Sequence, residues 1–156
     1  VMSAAVLKAS KGLIRDFGEI DNLQVSRKGA YSFVTSADLR TEKLLQRELE
    51  KARPDYGFLM EEGGEIPAKD GQHRWIIDPL DGTSNFIHAI PYFCISIALE
   101  KKEANGNTNI IAGVIYDPIH NEMFTAEQYK GVFLNSRRLM VSGRDKITEA
   151  LLACSS

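Results

Sequence analysis

Residues 75–86 read Trp-Ile-Ile-Asp-Pro-Leu-Asp-Gly-Thr-Ser-Asn-Phe, and this stretch decides how the rest of the chain is interpreted. Three apolar residues typical of a strand are followed by two aspartates, Asp78 and Asp81, with Pro79 between them. The pattern predicts a strand that stops at the first aspartate and a turn on which both carboxylates and the Leu80 carbonyl converge. Carboxylate and carbonyl oxygens are the ligands that Mg²⁺ prefers in proteins.

The residues after the second aspartate have a composition that suits the start of a helix. Gly82, Thr83 and Ser84 would present free backbone N–H groups there, and such groups bind phosphate well. A metal site beside a phosphate site on one short segment predicts phosphoester chemistry.

A second acidic pair lies upstream, where Glu61 and Glu62 follow the short apolar run Phe58–Met60. Two strand ends that deliver acids to one edge of a sheet repel each other unless a cation neutralises them. The alternative is that Asp78-Pro79 and Asp81-Gly82 are ordinary turn residues after a buried strand. The presence of both acidic pairs favours the metal site.

Taken together and in order, several segments of the chain resemble the inositol monophosphatase family, within the wider Mg²⁺-dependent, Li⁺-sensitive phosphatase superfamily. They are the signature at residues 78–86, Lys28 with Val34-Thr35-Ser36-Ala37-Asp38, and residues 58–62, 113–118 and 131–135. Members carry a further carboxylate ligand in a Trp-Asp segment of their C-terminal part, and Trp75 is the only Trp here. We therefore expect residues 1–156 to form a single phosphatase domain that lacks the C-terminal part of the family fold.

The resemblance implies a two-ion Mg²⁺ site. Glu61, Asp78 and the Leu80 carbonyl would hold the first ion, and Asp78 and Asp81 would hold the second. Asp78 would then bridge the two ions. Such an arrangement activates water and neutralises the departing oxygen of a phosphate ester.

The resemblance also assigns roles to residues around the metal site. Thr83 would orient the attacking water or accept its proton, supported by Asp38, which could otherwise be only a first-turn helix acid. Glu62 would orient a metal-bound water, or would be only the solvated neighbour of Glu61. Lys28 would contact the phosphate or the water shell of a third ion, or would be an exposed loop lysine.

The pattern along the chain predicts an α+β fold with two helices packed on a mostly antiparallel sheet. The second helix is expected to have Ser36 as its N-cap and Leu39, Leu45, Leu49 and Ala52 on its inner face. A polar loop is expected over 63–71. The predicted helices cover 1–17 and 36–53, and the strands cover 58–60, 75–77, 93–100, 110–116, 122–127, 132–134 and 139–141. The resemblance sharpens this to the N-terminal part of a layered αβαβα sandwich.

Composition indicates an ordinary globular chain. Of its 156 residues, 44% are hydrophobic and 26% are charged, and the net charge of −2 gives no attraction to nucleic acid or to an anionic membrane. No apolar stretch approaches the ~20 residues needed to cross a bilayer. The two cysteines fit no zinc or disulfide spacing, and the N-terminus has no signal-peptide pattern, so we expect a cytoplasmic protein.

The function predicted from these observations is Mg²⁺-dependent hydrolysis of a small phosphate ester, with inositol-1-phosphate as the first candidate. Fructose-1,6-bisphosphatase and adenosine bisphosphate 3′-phosphatase activities are alternatives, because they share the metal signature. An alternative of another class is a protein-binding regulatory role in transcription complexes. The resemblance also implies a homodimer.

Overall fold

The structure of the chain is a computed structural model that describes residues 1–19, 25–27 and 33–151; at residues 25–27, 33 and 34 it describes the backbone only. Two long helices and an eight-stranded sheet make up most of this part. The elements are α1 (Met2–Gly18), β1 (Val25–Arg27), β2 (Phe33–Thr35), α2 (Ser36–Ala52), β3 (Gly57–Met60), β4 (Gly64–Ile66), β5 (His73–Asp81), α3 (Thr83–Ile87), β6 (Cys94–Lys102), β7 (Thr108–Asp117), β8 (Glu122–Glu127), β9 (Gly131–Leu134) and β10 (Arg137–Leu139). A 3₁₀ turn follows at Ile147–Glu149.

The large sheet has the strand order β10-β9-β8-β7-β6-β5-β3-β4. Its neighbouring strands are antiparallel except for β3 and β5, which pair in parallel. The predicted α+β fold with a mostly antiparallel sheet is confirmed. The parallel pair matters for function, because it places the ends of β3 and β5 side by side.

Helices α1 and α2 cover one face of this sheet and form the core with it. The inward residues Val6, Ala9 and Leu13 of α1 recur every three to four positions, as an amphipathic helix requires, and Ala5 is buried beside them. The sheet contributes the buried side chains of Trp75, Ile77, Ile95, Ile97, Val114 and Tyr116.

The N-terminus of α2 differs from the prediction by one residue. Thr35, not Ser36, is the N-cap: its hydroxyl accepts hydrogen bonds from the N–H groups of Ala37 and Asp38, and the Asp38 carboxylate accepts one from the Thr35 N–H. This reciprocal capping box satisfies two N–H groups at the start of the helix. Leu39 does not belong to the buried face, on which Asp38, Glu42 and Leu45 lie, and it is 44% exposed, so its predicted place on the inner face is wrong.

The buried face of α2 is unusually polar for a core helix. Its buried residues are Ala37, Asp38, Thr41, Glu42, Leu45 and Leu49. Half of these residues are polar, and two of them are acids. Burying a carboxylate costs free energy unless hydrogen bonds compensate, so each acid requires a partner on the neighbouring elements.

Three phenylalanines fix the short helix α3 against α1 and the start of β6. The ring centroids of Phe86 lie 5.5 Å from Phe17 and 4.9 Å from Phe93, and Phe17 and Phe93 are 5.0 Å apart. Phe86 is fully buried. This aromatic packing holds α3 against α1 and so positions the segment just before α3.

Two short strands differ from the sequence-based expectation. The predicted loop over 63–71 contains β4, because Gly64 adopts a φ of 71° and lets the chain fold back onto β3. The last strand begins at Arg137 instead of 139, because the tight turn at Asn135, with a φ of 52°, starts its pairing immediately.

On the face of the sheet opposite α1 and α2, Ile115 is 47% and Val132 is 43% exposed. Within the described part of the chain, no helix combines the length and the apolar composition needed to span a membrane.

Candidate active site

The parallel pairing of β3 and β5 brings the two acidic segments together. Met60 is in register with Ile77, and the Glu61 N–H donates to the Ile77 carbonyl at 3.3 Å. The next residue on each strand is an acid, and the side chains of Glu61 and Asp78 are joined by a hydrogen bond. The predicted meeting of these acids at one edge is therefore present in the structure.

The strand β5 does not stop at its first aspartate, which corrects the sequence-based interpretation. Asp78 pairs with Ser96 and Asp81 pairs with Cys94, so β5 uses one more residue than β6 between the two pairs. This β-bulge accommodates Pro79, which has no N–H for the ladder. The Leu80 N–H instead donates to Asp78 Oδ1 at 3.1 Å. The two aspartates are therefore oriented by a bulge within β5, and not by a turn that ends the strand.

Burial and the neighbouring charges act strongly on Asp78. Burial, then the charges of Glu61 and Asp81, raise the pKa of the Asp78 carboxyl to about 7, although the Leu80 N–H works in the opposite direction. Cys94 Sγ lies 3.6 Å from Asp81 Oδ2 as a donor. Burial and the charge of Asp81 raise the pKa of this thiol to about 12. Burial is the larger cause of both shifts, and the negative charges gathered in this small region add to it.

Thr83 and Asp38, predicted as partners, are in contact. The Thr83 hydroxyl lies 3.2 Å from Asp38 Oδ1 and 2.9 Å from the Leu80 carbonyl oxygen. Asp38 is 1% exposed, and the Thr35 hydroxyl and N–H both donate to its other carboxylate oxygen. The alternative role of Asp38, a first-turn helix acid, is also present, because this residue completes the capping box of α2.

The start of α3 places the three predicted phosphate-binding residues in sequence around a glycine turn. Gly82 has a φ of 91°, and a Cβ there would lie 3.0 Å from the Tyr92 carbonyl oxygen. Both the backbone angle and the close approach require glycine. Thr83 and Ser84 form the first turn, which closes when the Phe86 N–H donates to the Gly82 carbonyl at 3.0 Å. Lys28 lies outside the described residues.

Glu42 is a further residue of this region that the sequence analysis did not select. Its Oε2 accepts a hydrogen bond from the Glu62 N–H at 2.8 Å, and the Gly63 N–H also donates to it. Glu42 is 4% exposed, and burial raises the pKa of its carboxyl against the effect of these two donors. The available signal was its spacing: Glu42 follows Asp38 by four residues, on the same face of α2.

The oxygen donors in this region are of the type that Mg²⁺ prefers. Glu61, Asp78 and Asp81 supply carboxylates, and the pKa of Asp78 is raised by its burial and because these charges oppose one another. A hard cation removes that repulsion and prefers oxygen donors. In the described ranges no three Asp, Glu, His or Cys side chains stand close enough to form a closed metal-binding group. The match to Mg²⁺ therefore rests on the oxygen donors of these three residues and on their negative charge.

Comparison with known proteins identifies relatives over nearly the whole chain. It is 52% identical over 154 residues to the inositol-1-monophosphatase of Mesorhizobium japonicum, an alignment that covers 99% of this chain and 56% of that protein. It is 39% identical over 154 residues to the Nus factor SuhB of Xylella fastidiosa, which covers 97% of this chain and 53% of the relative. The chain spans about half the length of the curated relatives it matches.

The fold agrees with these sequence relationships. The crystal structure of the extragenic suppressor protein suhB from Bartonella henselae matches with a TM-score of 0.85 and 55% identity, over 92% of this chain and 54% of that one. The sequence model of the inositol monophosphatase family matches residues 1–156. With matching sequence, matching fold and the acidic segments adjacent as the resemblance implied, the chain belongs to the inositol monophosphatase family.

Proposed function

We propose that the complete protein is a Mg²⁺-dependent phosphoric monoester hydrolase acting on a small phosphate ester. One observation carries this proposal: the hydroxyl of Thr83 lies 3.2 Å from the buried Asp38 carboxylate and 2.9 Å from the carbonyl of Leu80, next to the acidic residues. A hydroxyl held against a buried carboxylate is a group prepared to handle a proton.

The metal ligands in this proposal are Glu61, Asp78 and the Leu80 carbonyl for one ion, and Asp78 and Asp81 for another. When bound, Mg²⁺ would supply positive charge to the phosphate and to the departing oxygen. The Leu80 carbonyl already accepts from Thr83, but a carbonyl oxygen has two lone pairs and can serve both. Its position would keep the Thr83 hydroxyl beside the metal.

Thr83 and Asp38 would manage the proton of the attacking water. The Thr83 oxygen would orient the water or accept its proton, while its own proton passes toward Asp38 Oδ1. Asp38 stays in place because Thr35 occupies its second oxygen. Glu62, which is half-buried, would orient a water in the site or remain the solvated neighbour of Glu61.

The backbone N–H groups of Gly82, Thr83 and Ser84 would hold the phosphate. Support comes from their place ahead of the first hydrogen bond of α3 and from the left-handed backbone of Gly82. These N–H groups recognise the phosphate anion and do not discriminate between esters that differ in their alcohol portion. Lys28 remains a predicted phosphate or metal-shell contact on the strength of the resemblance.

Inositol-1-phosphate is the first candidate substrate, because relatives at 52% identity bear the name inositol-1-monophosphatase. Fructose 1,6-bisphosphate and adenosine bisphosphate are the alternatives. We also take residues 1–156 as belonging to a single phosphatase domain, in a cytoplasmic homodimer that Li⁺ inhibits. The single domain, the homodimer and the Li⁺ inhibition rest on the family resemblance, and the cytoplasmic location rests on the sequence pattern.

A second candidate function is protein binding in a transcription complex. The observation that favours it is the set of relatives named Nus factor SuhB, at 36% to 39% identity over most of this chain. Catalysis and such a role are compatible in one protein. A variant that no longer hydrolyses phosphate esters but still binds the transcription complex would show that the two functions are separable.

The test is a phosphate-release assay of the complete protein on all three candidate esters, with Mg²⁺ and with EDTA. We expect inositol-1-phosphate to be hydrolysed fastest and only with Mg²⁺. Undiminished turnover in EDTA would refute the metal requirement. Faster hydrolysis of either bisphosphate would reassign the substrate.

A further inference from the structure

Helix α2 contacts both halves of the candidate active site through two acids one turn apart. Asp38 accepts from the Thr83 hydroxyl at 3.2 Å, and Glu42 accepts from the Glu62 N–H at 2.8 Å. Residues four apart on a helix lie on the same face, so a rigid α2 fixes the separation of these two contacts. The first contact belongs to the proton-handling side and the second to the metal side.

The Glu61-Glu62-Gly63 segment needs such support because it connects two strands within three residues. It lies between β3 and β4, which pair antiparallel with Met60 opposite Gly64. Its N–H groups at positions 62 and 63 both donate to Glu42. The Glu61 N–H is held separately by the Ile77 carbonyl at 3.3 Å. Glu42 thus holds the loop backbone directly after the candidate metal ligand.

The close fit between this loop and the helix supports a positioning role. A Cβ at Gly63 would lie 3.1 Å from Glu42 Oε1 and 2.8 Å from Met60 Cε, so glycine lets the backbone approach the carboxylate. Glu42 is 4% exposed, and a buried carboxylate is kept only where its hydrogen bonds are made. An apolar residue would fill the same space without the free-energy cost of burying a carboxylate. The hydrogen bonds to the loop are therefore the reason we assign for a glutamate at position 42.

We propose that Glu42 is a positioning residue that holds the Glu61–Gly63 loop through backbone hydrogen bonds and thereby sets the Mg²⁺ affinity of the site. This rests on the proposed function for the identity of the ion. Glu42 acts as a hydrogen-bond acceptor, not as a ligand. A neutral acceptor of the same shape should therefore serve nearly as well.

The experiment measures Mg²⁺ binding to the complete protein by calorimetry in three variants. Glu42→Gln keeps an acceptor oxygen, Glu42→Met keeps the volume without an acceptor, and Glu42→Ala removes both. Loss of a residue that orients a metal ligand typically costs about 10- to 100-fold in metal affinity. We expect this loss for Met and Ala, and a change below about threefold for Gln.

The matched control is Thr41→Ala, because Thr41 is also 4% exposed on the same helix. It should lower the melting temperature without changing Mg²⁺ affinity. Should Glu42→Ala fail to fold, the Met variant still decides the matter. Wild-type Mg²⁺ affinity in a folded Glu42→Met protein overturns the proposal, and so does equal loss in the Gln and Met variants, which would make Glu42 act through its charge.

Kinetics provide a second readout that separates this proposal from the proposed function. In a phosphatase, Glu42→Met should raise the Mg²⁺ concentration for half-maximal rate and leave kcat at saturating Mg²⁺ nearly unchanged. Asp38→Asn should instead lower kcat at saturating Mg²⁺ and leave the Mg²⁺ concentration for half-maximal rate nearly unchanged. A wild-type protein that binds Mg²⁺ yet hydrolyses none of the candidate esters refutes the proposed function, while the calorimetric comparison of variants still tests Glu42.

Discussion

The Thr83 hydroxyl lies 3.2 Å from Asp38 Oδ1, although the two residues are 45 positions apart in the chain. This contact joins the N-terminal turn of α2 to the turn that opens α3. Both ends are held: Asp38 by the capping box with Thr35, and α3 by the burial of Phe86. The contact is the support for the proposed role of Thr83 in handling a proton, beyond the phosphate contact proposed for its backbone N–H.

Removing the Thr83 hydroxyl should reduce turnover more than metal binding. A general-base contact is typically worth about 10²–10⁴-fold in rate, so we expect a loss of that order in kcat for Thr83→Ala. Thr83→Ser keeps the hydroxyl and should retain most activity. Steady-state kinetics at saturating Mg²⁺ measure this, and near-normal turnover in the alanine variant would remove Thr83 from the proposed mechanism.

The structural and catalytic duties of Asp38 should separate in two variants. Thr35→Ala removes the N-cap hydroxyl and should cost about 1 kcal/mol of unfolding free energy. Asp38→Asn keeps an oxygen that can accept from the Thr35 N–H, so it should change stability less and lower kcat more. Denaturant unfolding and kinetics on the same preparations give both quantities. If Asp38→Asn only destabilises the protein, the residue is a helix cap and no more.

Stability of the metal-free protein should fall as pH rises toward neutrality. The pKa of Asp78 in the folded state is raised from 3.8 to about 7, chiefly by burial and by the charge of Glu61. Between these values the folded protein holds a proton that the unfolded chain has lost, so raising pH through this range favours unfolding. Saturating Mg²⁺ should abolish the trend, because the ion replaces the proton.

Melting temperatures in EDTA from pH 5 to pH 8, repeated with Mg²⁺, measure this effect. Asp78→Asn removes the titrating group and should flatten the metal-free curve, whereas Asp55→Asn, a substitution at an exposed acid, serves as control. Calorimetry should show Mg²⁺ affinity rising with pH through 7 and proton release on binding. A metal-free melting temperature that rises steadily from pH 5 to pH 8 would contradict the assigned shift.

Gly82→Ala should destabilise the protein through two effects that a second glycine separates. A non-glycine residue in the left-handed region costs about 1–2 kcal/mol. Gly106 has a comparable φ of 88°, and a Cβ there would have no atom within 4 Å, whereas a Cβ at Gly82 would meet the Tyr92 carbonyl at 3.0 Å. Gly106→Ala therefore reports the backbone cost alone. We expect a larger loss of unfolding free energy for Gly82→Ala in denaturant titrations, and equal losses would show that the contact relaxes freely.

Local sequence determined most of the helices and strands and the identity of the acids. The apolar run before Asp78 forms a strand because β-branched and aromatic residues favour one, and α2 is bounded by capping residues and a following proline. These features depend on neighbours in the chain, so periodicity and spacing reveal them. The grouping of Glu61 with Asp78 could be anticipated because both follow apolar strands.

Tertiary structure alone decided how those elements make a site. The bulge between Asp78 and Asp81 exists because the register between β5 and β6 shifts by one residue there. The hydrogen bond from the Glu62 N–H to Glu42 exists because α2 packs beside the end of β3. The hydrogen bond between Thr83 and Asp38 likewise joins distant segments, and only the family resemblance had pointed to it. Such contacts depend on which distant segments pack together, and their energy comes from burying the groups jointly. No local sequence pattern encodes which distant segments pack together. The sequence therefore indicated which residue types could bind a metal or handle a proton, and the packing determined which of them are in contact.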